Sequence, residues 1–238
     1  MTPQTSAEKA AALYDRGYAE KYRAHDDTLA DSGPYLGFVA WLQRVCDQFR
    51  GPIDALELGC GTGRYFSALK GARSIVGIDA SADMLALAQK PYRAESITAE
   101  RITLIQGDIF THPLDDASFD LVYSIGVLAE HAPFNSEIAV RVHRALKPEG
   151  CFAFSTVHPD SSSIAASLGR TVARALAPFL PSPLRRPVRA RLMSGGMYAD
   201  ETRIREVLSP QFVIESLERF VSEAHLHCLC VARKRVAQ

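Results

Sequence analysis

Five short apolar runs follow one another between residues 53 and 158: IDALELGC, SIVGIDA, RITLIQGD, FDLVYSIG and CFAFSTVH. Runs that are apolar on both faces suit parallel strands covered by helices on both sides. The intervening segments GTGRYFSALK, SADMLALAQKPY and NSEIAVRVHRALKPEG read as the crossover helices, the last stopped by Pro148 and Gly150. The alternation predicts an α/β fold with a doubly wound, mostly parallel sheet. Near the end, QFVIESLERFV and HLHCLCVARK are separated by too few residues for a parallel crossover, so they read as a hairpin and one late strand must run antiparallel. Before Asp54 the chain has helical spacing, as in SAEKAAALYDRGYAEKY and in PYLGFVAWLQRVCDQF, where Phe38, Leu42 and Val45 share a stripe. The expected organisation is one domain: N-terminal helices over 1–50, a ligand-binding half over 51–160, a basic insertion over 161–199, and a helix with the hairpin over 200–238.

With 47% hydrophobic residues in 238, the chain can bury one substantial core. Lys plus Arg and Asp plus Glu balance at 27 each, so no global field attracts nucleic acid, and no nucleic-acid partner is expected. The five cysteines have neither paired metal-ligand spacing nor a secreted disulfide framework, and read as reduced core residues. The N-terminal stretch lacks the apolar region of a leader, and no run approaches the ~20 apolar residues of a membrane helix, so a cytoplasmic protein is expected.

The stretch ALELGCGTGRY, Ala55 to Tyr65, sets Gly59, Gly61 and Gly63 in a bend after the first run. A dinucleotide fingerprint would carry a third glycine where Arg64 stands. Glu57, inside the strand and aimed at the loop, suits a cationic ligand and repels a pyrophosphate. Twenty positions beyond Gly59, Asp79 ends the second run with the spacing of a ribose-diol acceptor, while Ser81 is the better cap for the helix that follows.

Together LELGCGTGRY, IVGIDASADML, LIQGDIF, FDLVYSIGVLAEH and LKPEGCFAFST resemble the successive motifs of class I S-adenosylmethionine-dependent methyltransferases, in order and spacing, over about Ala55 to Thr156. The resemblance implies a seven-stranded sheet with a terminal antiparallel hairpin, S-adenosylmethionine as cofactor, and glycines that make room for its methionine and ribose portions. By position it implies that Glu57 and the loop Gly59, Gly61 and Gly63 hold the amino-acid end, and that Asp79 and Ala80 border the ribose. Asp108 would meet the adenine amino group, with Ile109 on the ring. Ser124 and Gly126 would line the sulfonium side. The family's N-terminal helices often close over the cofactor, which makes Tyr14 and Tyr22 candidates; helix packing is their other reading.

Substrate should sit beyond the carboxyl ends of the strands, so a general base is sought in His131 and Glu130 after the fourth, or His158 and Asp160 after the fifth. His131 and His158 are the catalytic candidates, set against catalysis by alignment alone. His225 and His227 share a strand face, but no third ligand stands at diagnostic spacing and no metal is assigned; Cys228 and Cys230 share the other face. Between Ser161 and Ala199 lie Arg170, Arg174, Arg185, Arg186, Arg189 and Arg191 with no intervening acid up to Ala199, broken by prolines. This insertion reads as a solvated lid surface, a site for an anionic small substrate, or a membrane-surface contact for a lipid-like acceptor. The leading expectation is methyl transfer to a small-molecule acceptor, anionic or amphipathic, at O or N. C-methylation of a quinone or isoprenoid-like substrate, an NAD-dependent oxidoreductase and a non-catalytic cofactor-binding module are the alternatives.

Overall fold

The computed structural model describes residues 6–29, 32–161, 198–222 and 225–235. The arginines of the basic insertion lie outside these residues. Seven strands form one sheet in the order β3-β2-β1-β4-β5-β7-β6: β1 (Ile53–Leu58), β2 (Ala72–Asp79), β3 (Arg101–Gln106), β4 (Phe119–Ser124), β5 (Leu146–Val157), β6 (Phe212–Ser222) and β7 (His225–Lys234). The first five pair in parallel; β7 runs antiparallel to both β5 and β6. The mostly parallel sheet with a terminal antiparallel hairpin therefore stands.

Side-chain alternation along the strands supplies two apolar faces. Leu56, Leu58, Val122, Phe152 and Phe154 pack against α5 (Ser136–Ala145) and α6 (Glu201–Leu208). Ala55, Leu121, Tyr123 and Ala153 pack against α3 (Gly33–Cys46), whose stripe Phe38, Leu42 and Val45 is joined by the enclosed Trp41. Short polar side chains begin the helices: Ser32 accepts from Tyr35 N, Asn135 from Ile138 N and Asp200 from Arg203 N, each satisfying an otherwise orphaned first-turn amide.

Two expectations about helices change. The N-terminal helical stretch divides into α1 (Ser6–Leu13) and α2 (Arg16–Leu29). The segment GTGRYFSALK forms only a 3-10 turn at Phe66–Ala68 between β1 and β2. Gly61 and Gly63 are spent at φ +52° and +73° in the loop, and the few residues left before β2 do not suffice for an α-helix. By contrast α4 (Ala82–Ala88) forms as expected after β2, capped by the Ser81 hydroxyl, which accepts from Met84 N.

At the amino ends of the strands a polar cluster ties β1, β2, β4 and β5 together. Lys147 Nζ lies 2.9 Å from Asp54 Oδ2 and 2.7 Å from Asp120 Oδ2, while Ser74 donates to Asp54 Oδ1 at 2.7 Å and Arg73 forks onto the same carboxylate. The Arg73 hydrogen bond foremost, with help from Ser74 and Lys147 and against burial, holds the Asp54 carboxyl far below its ordinary value of 3.8. Because the folded value is depressed, this stabilisation is full above the unfolded value and is lost as pH falls below about 4. Asp54→Asn should lower stability at pH 7 and flatten its decline between pH 5 and 3, as read by urea unfolding across that range. An unchanged slope would remove Asp54 from the acid sensitivity.

Candidate active site

The opposite, carboxyl ends of the strands carry the site. In the order β3-β2-β1-β4 the chain leaves β1 toward β2 on one side, with β4 added later on the other, and a crevice opens above β1. A cleft of about 830 Å³, counting the solvent at its open mouth, lies there.

Its floor is the glycine loop. The amides of Gly59 and Cys60 both donate to Ile78 O, at 2.8 and 3.0 Å, and the Gly61 amide donates to Asp79 Oδ2 at 2.8 Å. Gly59 adopts φ +75°, and a Cβ there would stand 2.5 Å from Val127. At this position the glycine is required by backbone geometry and by protein packing, in addition to any room it leaves for a ligand. Gly63 does not line the cleft; a Cβ on it would meet Phe66 and Pro91 behind the loop.

Glu57, at the end of β1, is enclosed and accepts from Tyr123 OH at 2.7 Å, its register partner on β4. Burial pushes its carboxyl up to about 8, against the lowering effect of the tyrosine. Asp79, at the end of β2, accepts from Gly61 N and, through Oδ1, from Ser81 N at 2.9 Å. Ser81 caps α4 as expected, yet Asp79 is engaged as well, gripping the loop. A carboxylate has about four acceptor sites, so capacity remains for a diol. Burial raises its carboxyl, opposed by those backbone amides.

Ala80, Asp108 and Ile109 continue the lining on the β2–β3 side, and Asp108 Oδ1 accepts from Phe110 N at 2.8 Å. On the β4 side Gly126 lines the cleft, its amide donating to Ser155 Oγ at 2.9 Å. Ser124 does not line it: fully buried, it donates to Leu58 O at 2.8 Å and ties β4 to β1.

The N-terminal helices close one side. Tyr14 and Tyr22 both line the cleft, and Ser81 Oγ donates to Tyr14 O at 2.6 Å. Asp26 of α2 is enclosed and accepts from Thr62 Oγ1 at 2.7 Å and from the Arg64 guanidinium, which lies 4.3 Å over the Tyr22 ring. Thr62, Arg64, Met84 and Val127 are lining residues that sequence reasoning did not single out. Arg64 had a signal, since it stands in the place of a glycine. Asp26 had none, because its partners are 36 and 38 positions away.

The structure separates the two histidine candidates. His131 lines the cleft with Nε2 3.0 Å from Tyr14 OH and 3.7 Å from Glu130 Oε1. Burial lowers the His131 value and pushes the Glu130 carboxyl up to about 7. Both follow a tight turn in which Ala129 adopts φ +57°, a conformation costly for a residue with a Cβ. His158 lies away from the cleft lining, buried beneath α6, with Nδ1 accepting from Asp160 N and Nε2 3.4 Å from Glu201 Oε2. Cys228 completes a cluster with His158 and Glu201 within 4.8 Å. The amide bond to Nδ1 keeps the neutral ring's proton on Nε2, the nitrogen facing that cluster, which is the wrong tautomer for a ligand. His227 is buried edge-on to Phe38 at 5.3 Å, and burial lowers it to about 4; Cys228 and Cys230 lie in the core.

A doubly wound sheet with an acid at the end of β1 and another at the end of β2, flanking a glycine loop, makes a cleft of the kind that suits a nucleoside-bearing ligand. Residues 56–154 match the family model of the methyltransferase domain. The demethylmenaquinone methyltransferase of Lactobacillus johnsonii is 37% identical over 100 residues, 40% of each chain. The malonyl-[acyl-carrier protein] O-methyltransferase of Pectobacterium atrosepticum is 28% identical over 156 residues, 65% of this chain and 53% of that one. The chain thus spans about half or less of the length of these curated relatives. An S-adenosylmethionine-dependent methyltransferase structure from Mesorhizobium loti superposes with a TM-score of 0.58 at 26% identity, covering 81% of this chain and 95% of that one.

Glu57 carries a stability signature. Its folded value lies above its ordinary 4.5, so between there and about 8 the folded protein binds the extra proton and stability falls as pH rises. Glu57→Gln keeps an acceptor for Tyr123 without the buried charge. The variant should unfold at a higher temperature than the parent at pH 8.5, with the difference shrinking toward pH 5, while binding of S-adenosylhomocysteine weakens. Equal melting temperatures at both pH values would contradict the buried-charge account.

Proposed function

We propose that the protein transfers the methyl group of S-adenosylmethionine to a small-molecule acceptor, with Glu57, Gly59, Gly61, Asp79, Ala80, Asp108 and Ile109 as the cofactor-binding set. The observation that carries this reading is the pair Glu57 and Asp79, one carboxylate on either side of the glycine loop in a single cleft. Asp79 keeps free lone pairs for a diol, and Glu57 is a buried carboxylate with no cation bonded to it among the described residues, which suits the ammonium of an amino acid. Bound S-adenosylmethionine supplies a methyl group already activated by its sulfonium. The chain's own work is then alignment, exclusion of water and management of one proton.

Proton removal falls to the Glu130–His131 turn. Burial places the Glu130 carboxyl near neutrality, where a general base works best, and burial lowers His131, whose Nε2 is hydrogen-bonded to Tyr14 OH. Tyr14 keeps its own proton, because burial and the neighbouring tyrosines raise it far above 10. This pair serves an acceptor whose hydroxyl or amine must lose a proton, the O- or N-methylation reading. C-methylation of a quinone-like ring is the second reading, favoured by the relative named a demethylmenaquinone methyltransferase. The same base would serve it, since ionising a ring hydroxyl makes the adjacent carbon nucleophilic.

Incubation of metabolite pools with methyl-labelled S-adenosylmethionine, followed by mass identification and NMR placement of the label, tests the function and separates O, N and C products. Absence of labelled product in every pool, with no cofactor binding by calorimetry, would defeat the reading. Asp79→Ala should weaken S-adenosylmethionine by about 1.5 to 3 kcal/mol, the scale of a hydrogen bond to a charged group. Glu130→Gln and His131→Ala should each lower kcat by ~10² with cofactor affinity nearly unchanged. Parent-like rates in both variants would favour alignment alone.

A further inference from the structure

At the rim of the cleft, outside its lining, stands a carboxylate with no hydrogen-bond donor and no Lys or Arg bonded to it among the described residues. Glu130 Oε1 lies 3.7 Å from His131 Nε2, beyond hydrogen-bond reach, and burial shifts that ring toward its neutral form. The Glu130 side chain is 27% exposed, so an arriving molecule can reach it. A Cβ placed on the cleft-lining Gly126 would stand 3.9 Å from Glu130 Oε2, which sets the carboxylate against the β4 side of the cleft. Aromatic surface adjoins it. Tyr14 OH is 3.0 Å from His131 Nε2, the Tyr14 ring meets Tyr18 edge to face at 4.9 Å, and Tyr18 stacks on Tyr22 at 6.1 Å. Tyr18 is 40% exposed and carries this surface outward.

Cations are scarce here. Arg64 is engaged by Asp26, while Glu57, Asp79 and Asp108 all line the cleft. An anionic acceptor would meet carboxylates with no cation among the described residues to offset them, whereas an ammonium would gain a charge partner and aromatic faces. We propose that the methyl acceptor is an amine that arrives as an ammonium, docks on Glu130 beside Tyr14 and Tyr18, and is methylated at nitrogen. This rests on the reading of the cleft as a methyl-transfer site and narrows its hydroxyl-or-amine choice to the amine. Glu130 first takes an N–H proton from the ammonium. Burial, which pushes its carboxyl up to about 7, makes it a better proton acceptor than an ordinary carboxylate. The freed nitrogen lone pair then forms the new N–C bond as the methyl–sulfur bond breaks, with that bond's electron pair left on sulfur. Glu130 returns its proton to water, and the product leaves as an N-methylammonium. An alcohol brings no charge to Glu130, so the rim selects by charge.

The test separates the substrate class from methyl transfer itself. Metabolite pools are divided on a cation exchanger at pH 7, and each fraction is incubated with methyl-labelled S-adenosylmethionine. The retained fraction should yield a product whose label NMR places on nitrogen. A label on oxygen or carbon, or no labelled product from the retained fraction, would overturn the amine. Methyl transfer would still stand if the protein binds S-adenosylhomocysteine by calorimetry; absence of that binding would remove the underlying reading as well. A second readout needs no turnover. On protein saturated with S-adenosylhomocysteine, benzylamine should bind about 10-fold or more tightly than benzyl alcohol, which has the same body without the charge. In Glu130→Gln the two should bind within about threefold of each other, with affinity for S-adenosylhomocysteine unchanged. The same ratio in both proteins would overturn the proposal. If Glu130→Gln does not fold by circular dichroism, the unaltered protein decides alone, and equal binding of the two probes overturns the proposal.

Discussion

The carboxylate of Asp79 is the contact on which the geometry of the site depends. One oxygen holds the Gly61 amide and the other the Ser81 amide, so the glycine loop after β1 and the start of α4 after β2 are fixed to a single group. Ser81 in turn holds the backbone of Tyr14, which places its hydroxyl at His131. Floor, far wall and N-terminal helices are thus connected through one side chain at the end of a central strand. Loss of that group would displace both the glycine loop after β1 and the start of α4 after β2 at once. Tight local connections of this kind let a cleft be assembled from residues far apart in sequence with little freedom left to lose on ligand binding.

Much of this was legible in the sequence because it rests on local chemistry. The five strands announce themselves through runs apolar on both faces, and each helix start through a Ser, Asn or Asp. The hairpin follows from the short distance between its two runs. Glu57 and Asp79 could be named because each sits at a strand end, where this topology exposes side chains to a crevice, while Asp108 and Ile109 were named from the family resemblance and line the same cleft. Where the structure differs from the sequence reading, the deciding factor was not local. The helix expected after the glycine loop is absent because left-handed glycines use up its length. Ser124 and Gly63 face protein rather than cleft. His158 and His131 look equivalent in sequence, each following a strand, and only the path of the chain after β4 and β5 brings one to the cleft and buries the other.

Two features of the site run against stability. Glu57 is a buried carboxylate bonded, among the described residues, to a tyrosine, and Ala129 carries a left-handed backbone just before Glu130 and the cleft-lining His131. Each costs free energy that a Gln or a Gly would relieve. Both lie beside the cleft, where strain and buried charge are tolerated if function uses them, and the packed sheet beneath offsets the cost.

Cys60 sits within the glycine loop and contributes to the cleft lining. Burial, then the nearby carboxylates of Glu57 and Asp79, raise its thiol well above 9. The field that welcomes a cation therefore opposes formation of a thiolate at the same spot. Electrophiles and peroxides react with thiolates, so the one sulfhydryl placed to reach a bound molecule is also kept chemically quiet. Were the cleft to take the proposed sulfonium donor, that suppression of the thiolate would spare the loop from alkylation.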